Sequence, residues 1–200
     1  FQGHAAEFLI FNPKSFLALP CGTGKTIISL SAANMFNSEW LIVTKATLKY
    51  NWQREIHKWF PHTTNNLIGG KNKLITSADF TIINYDLLDA YKDKLKFKSI
   101  IFDECHAIKN AKSKRTKAAL KISKSADNLY LLSGTPIINR PFELVTQLKA
   151  IGKLDDFGGA HQFGLDFCSA EHNGFGWQYT GASNLDELYL RLKPFMYRAT

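Results

Sequence analysis

Apolar positions along this chain fall into two periods. Short, nearly continuous runs at 16–19, 40–44, 80–83, 99–102 and 128–132 have the length of strands buried on both faces. Between them, apolar residues recur at spacings of three and four. Leu48, Trp52, Ile56, Trp59 and Phe60 predict a helix, with Thr47 as its cap. At 1–11, Phe1, Ala5, Phe8 and Leu9 fall near one helical face before Asn12-Pro13 stops it. Further helices are expected at 27–36, briefly after Asp86, at 141–151 and at 185–195. Lys114, Lys117, Lys121 and Lys124 also share one helical stripe, which reads as a solvated face. Strands alternating with helices predict the α/β class, a mainly parallel sheet between helical layers.

After Gly152 the periodicity breaks up. Gly158, Gly159, Gly164, Gly174, Gly176 and Gly181 interleave with Phe157, Phe163, Phe167, Phe175, Trp177 and Tyr179. The expected division is a lobe over 1–152 and, over 153–200, an irregular appendage with a short hairpin and a closing helix.

Composition narrows the class without naming a function. At 45% apolar and 21% charged, the chain has enough apolar residues to bury a core. No apolar run approaches the ~18 residues of a membrane span, so no membrane partner is expected. Cys21, Cys105 and Cys168 are widely spaced and form no C-x-x-C pair. This argues against a disulfide framework or zinc ribbon and for a reducing, intracellular setting. The net charge of +8 is compatible with a polyanionic partner. His161, Cys168 and His172 have no diagnostic spacing and are not read as metal ligands.

Candidate chemistry sits where the expected strands end. Pro20-Cys21-Gly22-Thr23-Gly24-Lys25-Thr26 joins a strand to a helix. Gly22 and Gly24 allow main-chain N–H groups to approach a polyphosphate, and the following helix points its positive end at the same anion. Lys25 brings a charge to the phosphates, and Thr26 brings a hydroxyl to Mg²⁺. Leu19 stands where the strict form of this loop has glycine, which fits a looser form of the motif. Such a loop alone also fits a glycine turn before an ordinary helix. A partner acid is therefore required, and the 99–102 strand runs directly into Asp103-Glu104. Asp103 is the expected Mg²⁺ holder, and Glu104 the expected base for an attacking water. Lys45, Asn84 and Tyr85, and the Ser133-Gly134-Thr135-Pro136 segment, lie at equivalent strand ends, where parallel α/β sheets place their binding faces.

Together these segments resemble superfamily-2 helicases, and more narrowly the Swi/Snf-type DNA translocases. The narrower likeness rests on three stretches: Leu41-Ile42-Val43 with Asn51-Trp52-Gln53-Arg54-Glu55-Ile56 and Trp59; 101–110 with Ser113-Lys114-Arg115-Thr116; and 131–139. The tail around 179–185 with Met196-Tyr197-Arg198 is similar to the annealing-helicase branch. The resemblance implies a RecA-like P-loop NTPase lobe with ATP and Mg²⁺ as cofactors. It makes Gln2 an adenine reader and Gly22, Thr23, Gly24, Lys25 and Thr26 the phosphate and metal site. Lys25, Asp103 and Glu104 become the catalytic residues, and His106, Ser133 and Thr135 the coupling residues. Lys45, Asn84, Tyr85, Lys109 and Asn139 match DNA-facing loops. Cys105 replaces the family's common Ala, and Ser133 its usual Thr. The implied partners are double-stranded or branched DNA and a second RecA-like lobe, in the same polypeptide or in trans. That lobe would begin where this chain ends, and it would supply arginines for the transition state. The implied location is the nucleus, or the cytoplasm in a prokaryotic or viral setting. The alternatives are an RNA-helicase or restriction-enzyme motor lobe and a non-catalytic nucleic-acid-binding module.

Overall fold

The computed structural model describes residues 1–69, 76–134 and 140–198. Seven strands form one sheet: β1 Lys14–Ala18, β2 Trp40–Thr44, β3 Asn65–Leu67, β4 Phe80–Asn84, β5 Ser99–Phe102, β6 Asn128–Ser133 and β9 Met196–Arg198. Their order is β3-β4-β2-β5-β6-β1-β9, and every pairing is parallel. The five strands read from apolar runs are therefore all present. β3 was not foreseen, because Asn65–Leu67 is too short and polar to stand out as a run.

Strand alternation divides the core in two. Leu17, Trp40, Ile42, Ile101, Tyr130 and Leu132 face one layer. That layer is covered by α1 Gln2–Phe11, α2 Lys25–Asn34 and α3 Lys49–Trp59 through residues such as Leu9, Leu30 and Trp52. Phe16, Leu41, Val43, Ile100, Phe102, Leu129 and Leu131 face the other layer. There they meet α4 Leu88–Tyr91, α5 Lys114–Ser123, α6 Leu144–Ala150, α7 Gly159–Phe167 and α8 Leu185–Leu192. Because all strands are parallel, the loops after β1 and β5 open on the same carboxyl edge, with β6 alone between those two strands.

Several local expectations change. Thr47 does not cap α3: a 3-10 turn at Ala46–Leu48 precedes it, and the N-cap is Leu48 with no side-chain hydrogen bond. Lys114, Lys117 and Lys121 of the lysine stripe lie on α5 and Lys124 is its C-cap; the N-cap is Ser113, whose side chain accepts from Thr116 N. Pro141–Glu143 is a 3-10 turn that leads into α6.

The region after Gly152 is more ordered than an irregular appendage. Phe157, Phe163, Phe167, Leu188, Leu192 and Phe195 are buried in the same cluster as the sheet's second face. The last helix stops at Leu192, and the chain then pairs with β1 as the seventh strand, beginning with Phe16 N donating to Phe195 O at 2.8 Å. Burial of Phe195 and Met196 favours that edge pairing over another helical turn. The hairpin is present as β7 Glu171–His172 and β8 Trp177–Gln178, with Phe175 fully exposed at its tip.

Candidate active site

The loop between β1 and α2 has the backbone its glycines suggested. Gly22 and Gly24 lie at φ 81° and 87°, and Gly24 is the N-cap of the ten-residue α2. Thr23 Oγ1 donates to Pro20 O at 2.8 Å, closing the turn. Gln2, at the start of α1, reaches over it: Nε2 donates to Thr23 O at 3.2 Å. The Lys25 ammonium donates to two carbonyls of its own loop, Leu19 O at 2.9 Å and Pro20 O at 3.0 Å. Among the described residues no carboxylate pairs with it, so the residues present fit an anionic ligand: a cation balanced by neutral dipoles retains its charge for phosphate oxygens.

The acid pair faces this loop across a cleft of ≈ 340 Å³ whose lining includes Cys21, Gly22, Lys25, Thr26, Trp52, Asp103 and Glu104. Asp103 is only 7% exposed. Its Oδ2 accepts from Thr44 Oγ1 and from Trp52 Nε1, each at 2.8 Å. Its carbonyl accepts from Tyr85 Oη at 2.7 Å. Glu104 takes the left-handed conformation, φ 50° and ψ 51°, which is uncommon outside glycine. His106 Nδ1 lies 3.2 Å from Glu104 Oε2. Thr26 and Asp103 thus offer two oxygen donors to one cleft, which suits a hard divalent cation.

The end of β6 closes the site from a third side. Leu19 N donates to Ser133 O at 3.1 Å. A methyl group at Gly134 would stand 2.9 Å from Cys21 Sγ and 3.4 Å from Lys25 Nζ, so the end of β6 lies directly against the glycine loop and its lysine. Thr135 and Asn139 lie outside the described residues.

A second concavity of ≈ 400 Å³ opens on the same sheet edge, lined by Lys45, Tyr85, His106, Lys109, Asn110 and Arg115 among others. It gathers three of the expected DNA-facing residues, Lys45, Tyr85 and Lys109. Lys109 is also paired to Glu143 at 2.9 Å. Asn84 is buried at the end of β4. Tyr85 is among the residues that line the groove, but its hydroxyl turns inward. Burial, with the charges of Asp103 and Glu104 and the neighbouring Cys105, pushes that phenol well above its usual pKa, so it remains a donor.

The sequence pattern of the SNF2-related domain matches residues 12–200. The chain belongs to the SNF2-related family. Its similar relatives include the Xenopus laevis "SWI/SNF-related matrix-associated actin-dependent regulator of chromatin subfamily A-like protein 1", 37% identical over 96% of this chain and 21% of that protein. Another is the human "DNA annealing helicase and endonuclease ZRANB3", 33% identical over 94% of this chain and 19% of that protein. This SNF2-related chain therefore spans about a fifth of the length of such relatives. All of it superposes on 43% of the "Sulfolobus solfataricus SWI2/SNF2 ATPase core in complex with dsDNA", with a TM-score of 0.83 at 22% identity. The RecA-like lobe expected from the motifs is the fold found.

Three contributors were not singled out from the sequence of this SNF2-related lobe. Trp52 entered as one of the apolar positions that predict α3; it is buried in the core, and its indole N–H holds Asp103. A buried tryptophan needs an acceptor for that N–H, which is the signal that would have found it. Thr44 ends β2 beside Asp103, but a threonine closing an apolar strand carries no such mark. Arg115, one residue into α5, joins the groove wall.

Proposed function

We propose that this chain is the nucleotide-binding lobe of an ATP-driven motor that moves along double-stranded DNA. One observation carries the reading: a single short segment lines both cavities. Asp103 and Glu104 face the cleft with the glycine loop, and His106, Lys109 and Asn110 face the basic groove. A change at the phosphates is therefore only a few residues from a change at the groove.

In this reading Gln2 recognises the adenine. Gly22, Thr23, Gly24 and Lys25 take the phosphates, with Lys25 exchanging its two loop carbonyls for phosphate oxygens. Thr26 and Asp103 would hold Mg²⁺, which when bound neutralises charge developing on the phosphates. Trp52 and Thr44 fix the Asp103 carboxylate. Glu104 takes the proton of the attacking water. His106, Ser133 and Thr135 pass the nucleotide's state outward, and Lys45, Asn84, Tyr85, Lys109, Asn139 and Arg115 serve the DNA side. A second RecA-like lobe elsewhere in the polypeptide, or in trans, supplies the facing wall and its arginines, worth ~10³–10⁵ in rate in related phosphoryl transfer. The isolated lobe is then a weak ATP binder and a very slow hydrolase. The names of its relatives, a regulator of chromatin and a DNA annealing helicase, favour DNA as the substrate and the nucleus as the setting.

The test is ATP turnover by the full-length natural polypeptide with duplex DNA, single strands or RNA. Duplex or branched DNA should stimulate most, and Lys25→Ala and Glu104→Gln should each abolish turnover. Equal stimulation by RNA, or turnover in both variants, would overturn the reading.

A further inference from the structure

A hydrogen bond from Tyr85 joins the groove wall to the Asp103 main chain at the nucleotide cleft. Tyr85 is among the residues that line the groove with Lys45, Lys109 and Arg115, and it is only 3% exposed. The ring stacks on Phe102, the last residue of β5, with centroids 6.3 Å apart and planes 17° from parallel. Its hydroxyl donates to Asp103 O at 2.7 Å. That carbonyl belongs to the peptide joining Asp103 to Glu104. The peptide is a rigid plane, so turning it about its two flanking bonds moves both the carbonyl and the residue that follows. The residue that follows is Glu104, held at a positive φ that costs a non-glycine residue ~1 kcal/mol or more. On its other side, Asp103 is fixed by Thr44, by Trp52 and by its own N–H donating to Val43 O at 2.8 Å. The Asp103 carboxylate is thus anchored from β2 and α3. The plane leading to Glu104 is anchored from the groove side, by Tyr85.

We propose that the Tyr85 hydroxyl is a positioning device that sets the Asp103–Glu104 peptide, so that occupancy of the basic groove by duplex DNA aims Glu104 at its water. This rests on the motor reading above and adds the route of coupling. DNA seated against Lys45, Lys109 and Arg115 bears on the groove wall in which Tyr85 is packed, and the hydroxyl transmits that displacement to the peptide plane. Tyr85 acts through Glu104 and touches no reacting atom. The element that moves is the peptide plane itself, which the strained Glu104 conformation follows.

The experiment uses the full-length polypeptide and compares it with Tyr85→Phe and Arg115→Ala. ATP turnover is measured against duplex concentration, and amide hydrogen exchange is followed across 103–108 without DNA. Tyr85→Phe keeps the ring and its stacking. It should cut the stimulated-to-basal ratio at saturating duplex by about fivefold or more, the lower end of ordinary coupling factors. It should also speed exchange at 103–108. Arg115→Ala touches the groove but makes no bond to Asp103. It should raise the duplex concentration for half-stimulation and keep the saturated ratio. Unchanged exchange and an unchanged saturated ratio in Tyr85→Phe would overturn the relay and leave the motor reading intact. A polypeptide without substitutions that duplex DNA fails to stimulate would overturn both.

Discussion

The indole N–H of Trp52 and the hydroxyl of Thr44 converge on one oxygen, Asp103 Oδ2, each at 2.8 Å. Trp52 comes from α3 and Thr44 from the end of β2, so two elements pin a carboxylate delivered by β5. Hydrogen bonds to a charged group contribute about 1.5–3 kcal/mol. Trp52→Phe keeps most of the ring volume and removes the donor. It should lower the unfolding free energy by about that amount, read as a fall in the urea midpoint with an unchanged slope. The same substitution should weaken Mg²⁺-dependent nucleotide binding. A variant with the parent's urea midpoint would mean that water replaces the indole without loss.

Gly24 has no room for a side chain. Its φ of 87° disfavours any L residue, and an added Cβ would stand 2.6 Å from Gln2 Nε2 and 3.2 Å from Ile27 Cγ2. Gly24→Ala should therefore push Gln2 off the loop and distort the start of α2, at a cost of ~1–3 kcal/mol. A fluorescent ATP analogue should bind about fivefold more weakly or worse, in line with that cost. Titration of the nucleotide, beside a thermal scan showing that the chain still folds, decides it.

Much of this arrangement was legible in the order of residues. Buried parallel strands are continuous apolar runs, so β1, β2, β4, β5 and β6 stood out. The glycine loop and the acid pair carry their chemistry in adjacent positions. What was hidden depends on contacts between distant segments. β9 forms because Phe195 and Met196 are buried and β1 has an edge to offer, which no local period encodes. Gly164 looked like a breaker in a loose tail. It sits inside α7, where the ring of Tyr179 lies against its backbone. Tyr85 was expected at a DNA-facing loop, with nothing in the sequence to say where its hydroxyl points. Its inward turn toward Asp103 follows from stacking on Phe102, a neighbour 17 positions later in the sequence.

The approach to β3 and β4 should be acid-sensitive. Asp79 Oδ2 accepts from Thr64 N and Thr64 Oγ1, both at 2.7 Å, while Asp79 N donates back to Thr64 Oγ1 at 3.0 Å. The Thr64 backbone bond, then its hydroxyl, hold the Asp79 carboxyl below its ordinary pKa. A depressed folded-state value means that this stabilisation is fully present above the unfolded value of ~3.9. It is lost as pH falls through the folded one. Asp79→Asn should be less stable than the parent at pH 7, and the gap should narrow below about pH 4. Urea midpoints of both proteins at several pH values test this, and a gap constant down to pH 3 would contradict it.

The three cysteines should separate by reactivity. Cys21 is exposed and lines the nucleotide cleft. Cys105 is buried, with its thiol donating to Gln147 Oε1 at 3.2 Å, and burial together with the Asp103 and Glu104 charges raises its pKa strongly. Cys168 is also buried, and burial pushes its thiol up to about 11. The thiolate is the reactive form, so both buried thiols are doubly protected, by access and by protonation. A disulfide reagent at neutral pH should therefore titrate one thiol in the folded chain and three after denaturation. Mg²⁺ with a non-hydrolysable ATP analogue should slow the first reaction, because ligand in the cleft covers Cys21. Cys21→Ser should remove the fast phase entirely. If nucleotide left the Cys21 rate unchanged at saturation, the ligand would have to sit away from the glycine loop, and the cleft assignment would fall with it.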